Sequence, residues 1–186
     1  MKLYLLRHED RTQDCSFFGP LTELGLNNAC KLIKVLNDNN INMVFSSPFI
    51  RTLQTINPYL KEKNLLVNLE YGLSEIHHPD IIPPKSVGIS LPQYLAKYYN
   101  YNPEYNSLIK PTQIKYPENI INCNNRVKIV LKYIIEKYYK TDLNILLVTH
   151  QSPCQTILKI INNNSNYDKG KLILFFDNGW NYKKLN

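Results

Sequence analysis

Apolar and polar positions fall along this chain in blocks whose lengths separate strands from helices. Residues 3–6, LYLL, form a continuous apolar run that stops abruptly at Arg7-His8. Such a run reads as a short buried strand delivering side chains to a loop. A polar loop, 9–20, follows. Helical spacing begins at Thr22, an N-cap residue, with Leu21 and Leu26 at the two positions of a hydrophobic staple. Leu26, Ala29, Cys30, Ile33 and Leu36 mark the predicted buried stripe. After a polar break at 37–42, Met43 to Phe45 reads as a strand. Ser47 reads as the cap of a second helix with Pro48 at its first position, and Phe49, Leu53, Ile56 and Leu60 as its stripe. Leu65 to Leu69 is a third predicted strand, leading into EYGLSEIHHP.

Residues 76–118 break the pattern. They hold seven of the eleven prolines and many tyrosines, with one short helix predicted around Leu91 to Tyr99. A long irregular stretch inside a compact domain is either functional or disordered, and its aromatic content favours a packed lid or insertion. Helical spacing returns over Asn119 to Tyr139, where Cys123, Val127, Val130, Leu131, Ile134 and Tyr138 share a face. Asn144 to Val148 is an apolar strand ending in Thr149-His150. Ser152-Pro153 repeats the cap-then-proline start for a helix striped by Cys154, Ile157, Leu158 and Ile161. Leu172 to Phe176 and Trp180 to Leu185 flank Asp177-Asn178-Gly179, a hairpin signal. The pattern predicts a single α/β domain over 1–186 with a mostly parallel sheet.

Composition narrows the class. A chain of 186 residues with 44% hydrophobic and 20% charged residues can build a real core. No apolar run reaches membrane-spanning length, and MKLYLLRHED turns charged too soon for a signal peptide, so a cytoplasmic protein is expected. The four cysteines form no CxxC pair, which argues against zinc and against a disulfide framework and for small core residues. The net charge of +7 comes from scattered lysines. It fits an acidic substrate better than nucleic acid, which is not an expected partner.

Three strand-to-helix corners share one design. The first delivers Arg7 and His8, the second Arg51 and the third His150. In a mostly parallel sheet these corners lie on one edge, where helix N-termini present free N–H groups. Taken singly, each residue has a bland reading: an Arg-His pair arises by chance, and a strand-end arginine is more often a surface ion pair. Together they suit a dianion with tetrahedral oxygens, namely a phosphoryl group. His8 is the candidate nucleophile, because neighbouring guanidinium groups keep its imidazole neutral. Glu75 is a candidate proton donor, and Glu9 and Asp10 lie near enough in sequence to compete. His77 and His78 read as exposed loop histidines, and Tyr94, Tyr98 and Tyr99 as packing for the lid. No metal-ligand cluster is evident.

These residues resemble the histidine phosphatase superfamily, the phosphoglycerate mutase-like family. Its Arg-His after the first strand matches Leu6-Arg7-His8. Its PLT-x-x-G stretch matches Pro20 to Gly25. Its SSP-x-x-R-x-x-Q-T element matches Ser46-Ser47-Pro48, Arg51, Gln54 and Thr55, and its late Val-Thr-His matches Val148-Thr149-His150. LEYGLSEI is similar to the segment carrying the family's catalytic glutamate, which would be Glu75. RHEDR and EYGLSE look most like the branch typified by the phosphatase domain of the suppressor of T-cell receptor signalling proteins, which would put Arg11 beside the substrate. Two positions depart from the family: Glu9 stands where glycine is usual, and Gln151 where a small residue is usual.

The resemblance implies a three-layer αβα sandwich and phosphomonoester hydrolysis through a phosphohistidine on His8, with no cofactor. Arg7, Arg51 and His150 would hold the phosphoryl oxygens, Glu75 would transfer the proton, and Arg11 and Gln151 would line the substrate site. The expected partner is a phosphorylated small molecule or phosphopeptide, not nucleic acid and not a membrane, and a homodimer is left open. The rival readings are a phosphoglycerate mutase-type phosphotransferase and a catalytically silent phospho-ligand binder.

Overall fold

The computed structural model describes residues 1–161 together with the backbone of 172–176 and 182–185. Six strands form one sheet: β1 (Lys2–Arg7), β2 (Met43–Ser46), β3 (Val67–Leu69), β4 (Asn144–Thr149), β5 (Leu172–Phe176) and β6 (Tyr182–Leu185). Their order is β3-β2-β4-β1-β5-β6. The first four run parallel, β5 is antiparallel to β1, and β6 is antiparallel to β5. The helices are α1 (Glu23–Asp38), α2 (Ile50–Lys63), α3 (Gln93–Tyr98), α4 (Ile120–Tyr138) and α5 (Gln151–Ile160). No helix among the described residues is long and apolar enough to cross a membrane.

Both faces of the parallel part are covered, which is why its strands are continuously apolar. Successive strand residues point to opposite faces. Tyr4, Leu6, Val44, Leu146 and Val148 share one core with Leu32 and Leu36 of α1 and with Leu53, Ile56 and Leu60 of α2. Leu3, Leu5, Phe45, Ile145 and Leu147 share the other with Val127, Val130 and Ile134 of α4 and with Ile157 and Leu158 of α5. This is the expected three-layer αβα sandwich.

The register sets the site. Arg7 pairs with Thr149 and Leu6 with Val148, while Ser46 pairs with the same Val148. Strands β1, β2 and β4 therefore end level with one another, and their three corners meet at one edge.

Local details correct the sequence reading. The buried stripe of α1 is Gly25, Ala29, Leu32 and Leu36, whereas Leu26 and Cys30 are exposed. A Cβ at Gly25 would lie 2.0 Å from the Asp10 carbonyl oxygen, so close approach at Gly25 fixes which face turns inward. Thr22 does cap α1, accepting from the Gly25 N–H. Ser47 does not cap α2, whose N-cap is Phe49 without a side-chain bond. Nor does Ser152 cap α5, whose N-cap is His150. Of the cysteines, Cys123 and Cys154 are buried as expected, and Cys15 and Cys30 are not. The hairpin strands pair, while Asp177-Asn178-Gly179 and Trp180 lie outside the described residues.

The proline- and tyrosine-rich segment is packed. Ile82, Leu91, Ala96 and Tyr99 join the α1/α2 core, and Tyr105, Leu108 and Ile109 pack against the other. Tyr94 and Tyr98 are exposed, and Tyr98 packs edge-on against Tyr99 with ring centres 5.0 Å apart. Between the two sides the chain passes the edge of β3. The Val67 N–H donates to Asn100 O at 2.9 Å, and the Asn102 N–H donates to Val67 O at 2.9 Å.

Candidate active site

The first corner presents His8 in a fixed tautomer. Its backbone N–H donates to Thr149 O at 3.0 Å, prolonging the β1–β4 ladder by one residue. Its Nδ1 lies 2.7 Å from Glu9 O. A carbonyl can only accept, so Nδ1 carries the hydrogen and Nε2 keeps its lone pair. The ring is 2% exposed. Burial, then the charge of Arg51, with Arg7 and Arg11 adding, pushes its pKa down to about 3. His8 is thus a neutral imidazole with its nucleophilic nitrogen set.

The loop after His8 is pinned to the helices. The Glu9 N–H donates to Thr55 Oγ1 at 3.0 Å, and Gln54 Oε1 accepts from the Leu21 N–H at 2.7 Å. Thr22 Oγ1 donates to Asp10 Oδ2 at 2.8 Å. These bonds give the Gln54-Thr55 and Pro20-Leu21-Thr22 motifs their physical sense. Glu9 is buried, and its carboxylate accepts from Asn28 Nδ2 of α1 at 3.4 Å. Its contribution to His8 is its backbone carbonyl, which a glycine would supply equally. Asp10 serves the N-terminus of α1 through Thr22, leaving Glu75 as the carboxylate among the three that the fold brings to the His150 corner.

The second corner carries Arg51, one residue into α2 and 2% exposed. Its Nη1 donates to Ser16 O at 2.9 Å, and its guanidinium lies 4.6 Å from the Phe49 ring centre. Its Nε is buried without a partner among the described residues. Burial lowers its pKa to about 10, against which the Glu75 carboxylate acts.

The third corner holds His150, fully buried. Its ring centre is 5.2 Å from that of His8 and 5.0 Å from that of Phe49. His150 Nε2 lies 2.8 Å from Ser47 Oγ, and its Nδ1 has no partner among the described residues. Burial, then Arg51 and His8, holds its pKa well below the ordinary value. Glu75 meets this corner from the other side. Its Oε2 accepts from the Gln151 N–H at 3.2 Å, its Oε1 from the Ser152 N–H at 3.2 Å and from the Ile76 N–H at 2.9 Å. A carboxylate therefore occupies the N-terminus of α5, where the dipole favours negative charge.

Five of the predicted residues, Arg7, His8, Arg51, Glu75 and His150, converge on this edge. Arg7 ends β1, and its charge acts on both His8 and His150. Arg11 stands at the rim. It is partly exposed, its Nη1 donates to Thr12 O at 2.7 Å, and its charge acts on His8 and Arg51. Gln151 is partly buried, with an Oε1 that has no partner among the described residues.

His77 corrects the sequence reading. It is 4% exposed, its ring lies 6.2 Å from Phe49, and both ring nitrogens are buried without partners among the described residues. Burial, then Arg126, lowers its pKa to about 4. Only His78 is the exposed loop histidine expected, 3.4 Å from Asp80. Sequence reasoning also missed Ser47 as the partner of His150, and it missed Glu70, Glu118 and Arg126. These are three charged side chains buried around the Glu75 turn. The available signal for Arg126 was its place beside Cys123 and Val127 on the inward face of α4.

Comparison with known proteins bears on the family and the fold. The model of the histidine phosphatase superfamily (branch 1) matches residues 3–178. The ecdysone phosphate phosphatase of Bombix mori, solved with tungstate, superposes with a TM-score of 0.79 at 14% identity, over 98% of this chain and 91% of that one. A mycobacterial glucosyl-3-phosphoglycerate phosphatase gives 0.66 at 14% identity, over 98% and 96%. The 55 kDa subunit of transcription factor tau from Saccharomyces cerevisiae is 33% identical over 140 residues. That match takes in 70% of this chain, which spans only 31% of that relative's length. None of these matches reaches the finer branch suggested by RHEDR and EYGLSE.

Proposed function

Because the chain belongs to the histidine phosphatase superfamily, we propose that it hydrolyses phosphomonoesters through a phosphohistidine formed on His8. The observation that carries this reading is the His8 Nδ1 bond to Glu9 O at 2.7 Å, which leaves Nε2 as the free lone pair. His8 Nε2 attacks phosphorus, and the bond from phosphorus to the ester oxygen breaks as the N–P bond forms. Arg7 and Arg51 take the charge of the equatorial oxygens, with His150 as the third contact. Ser47 uses His150 Nε2, so Nδ1 is the nitrogen left to meet a phosphoryl oxygen. Glu75, seated as a carboxylate, takes up a proton as the phosphoryl dianion binds beside it, gives that proton to the departing alkoxide, then accepts one from the water that attacks the phosphohistidine. Inorganic phosphate leaves and His8 returns to its starting state.

The substrate is a phosphorylated small molecule or phosphopeptide, with Arg11 and Gln151 at the rim to contact what lies beyond the phosphoryl group. The test is turnover of a generic aryl phosphate and of a panel of phosphometabolites and phosphopeptides. His8→Ala abolishes turnover while the melting transition persists; undiminished turnover in that variant sinks the assignment. Transfer of the phosphoryl group to phosphoglycerate instead of to water would favour a mutase.

The identity with the transcription factor subunit favours a second reading, in which the domain binds phosphorylated ligands without turnover as part of a larger assembly. Tight binding of tungstate with no release of phosphate from any member of the panel would select it.

A further inference from the structure

We propose that Arg126 is a positioning residue for Glu75, acting through a buried pair with Glu118 that holds the Glu75 turn in place. The inference rests on the reading of Glu75 as the proton donor.

Arg126 lies on α4 and is 6% exposed; Glu118 is 2% exposed. All five guanidinium N–H groups have acceptors within 2.9 Å. Nε and Nη2 reach the two Glu118 oxygens at 2.8 and 2.9 Å. Nη1 donates to Gly72 O and to Ser74 O, both at 2.8 Å. Nη2 donates also to Glu75 O at 2.9 Å. Glu118 continues the pattern: its Oε2 accepts from the His77 N–H at 2.9 Å, and its own N–H donates to His77 O at 2.8 Å. Thus Gly72, Ser74, Glu75 and His77 are all tied to one ion pair. A Cβ on Gly72 would come within 2.4 Å of Val130 Cγ2, so the turn is also pressed tightly against α4.

The targets identify the purpose. A buried ion pair adds little net stability over well-packed apolar residues, so core stability alone gives no reason for one here. This pair spends its donors on the backbone of the turn that carries Glu75. The Glu75 side chain is held by two N–H groups of α5 at 3.2 Å and, more tightly, by the Ile76 N–H of its own turn at 2.9 Å. Its backbone end is therefore what fixes where the carboxyl group can reach, and a small misplacement of a proton donor costs rate. Lysine keeps the charge but has no planar fork and cannot serve three carbonyls and a carboxylate together.

Proton donation to the leaving group matters most when that group is a poor one, and this separates positioning from general damage. The experiment measures kcat/KM over a series of phosphomonoesters from nitrophenyl to simple alkyl phosphates, for the wild type, Arg126→Lys, Glu118→Gln and Glu75→Gln. His8→Ala is the control, and thermal melts are followed for all. The expected result is that Arg126→Lys and Glu118→Gln lose roughly tenfold or more on alkyl phosphates beyond their loss on nitrophenyl phosphate, following the trend of Glu75→Gln. Glu118→Gln keeps the test open if Arg126→Lys does not fold. Equal losses across the series, or no loss, overturn the inference while leaving the hydrolase reading intact. A wild type without turnover, or His8→Ala with full turnover, overturns both.

Discussion

Ser47 Oγ and His150 Nε2 lie 2.8 Å apart although 103 residues separate them in sequence. The two come from the corners after β2 and β4, and their bond ties those corners together across the site. A serine that reads as a helix cap is thus spent on orienting an imidazole. The bond engages Nε2 of His150 and leaves Nδ1 as the ring nitrogen without a partner among the described residues. Ser47→Ala leaves Nε2 buried without that partner, a loss of about 1–3 kcal/mol. The expected result is a fall of roughly tenfold to a hundredfold in kcat/KM with the fold retained. Steady-state kinetics on an aryl phosphate checks it, and an unchanged rate would show that the bond does not orient His150.

Three buried histidines give the fold an acid-side liability. Burial lowers the pKa of His8 to about 3, of His77 to about 4, and of His150 well below the ordinary value. In the unfolded chain each titrates near 6.5. As pH falls below that value, the unfolded state takes up protons that the folded state refuses, so stability is lost. Between about pH 6.5 and 4 each histidine contributes a slope of about 1.4 kcal/mol per pH unit. Urea unfolding at pH 7, 6 and 5 measures the sum. His77→Phe should remove one histidine's share of the slope. It should also raise stability at pH 7 by about 1 kcal/mol or more, because it deletes two buried nitrogens that have no partners among the described residues. A slope unaffected by that substitution would argue against the neutral, buried state of His77.

Glu70 organises the turn from its other end. Fully buried, its carboxylate accepts from Gly72 N–H at 2.8 Å, Ser107 Oγ at 2.8 Å, Tyr105 OH at 2.6 Å and Leu108 N–H at 2.9 Å. Every one of these partners donates. Glu70→Gln puts an NH2 group among them and removes the charge, so a loss of about 3 kcal/mol is expected, read as a lower denaturant midpoint. An unchanged midpoint would show that residues 105–109 do not depend on Glu70.

Gly25 sets the packing of α1 on the loop that follows His8. Gly25→Ala drives a Cβ to 2.0 Å from the Asp10 carbonyl oxygen, a backbone atom that cannot swing aside. The expected cost is about 1–3 kcal/mol, together with a loss of activity, since Asp10 lies two residues from His8. Thermal melts and kinetics on the same preparation check both parts.

The periodicity in the sequence was sufficient for an α/β domain with a mostly parallel sheet and for placing Arg7, His8, Arg51 and His150 on one edge, because those residues follow strands whose ends are visible, while the three-layer sandwich came from the family resemblance. Glu75 was reached through the family's motif, and its seat on the N-terminus of α5 could not be read from neighbours 76 residues away. Position 25 shows a second limit. Glycine carries no apolar weight, so the stripe on α1 was placed one step round, on Leu26 and Cys30. Arg126 shows a third. A charged residue on an apolar face was passed over, because its partners are backbone carbonyls that no side-chain pattern records. His77 looked exposed because a polar residue in a loop ordinarily is, and it is tertiary structure, with Phe49 and Glu118 among its neighbours, that buries it.

The pairing of Val67 with the chain at 100–102 has a consequence for solubility. A strand at a sheet edge offers its backbone to any other strand that drifts past, including that of another copy. Here the two backbone groups of Val67 are already taken by Asn100 and Asn102, so the edge of β3 is stopped by the chain's own insertion. Nicking or shortening the segment near those asparagines would leave the catalytic corners in place. It would also turn the rim of the sheet into a template for strand addition, and the first symptom would be aggregation of a still-active protein.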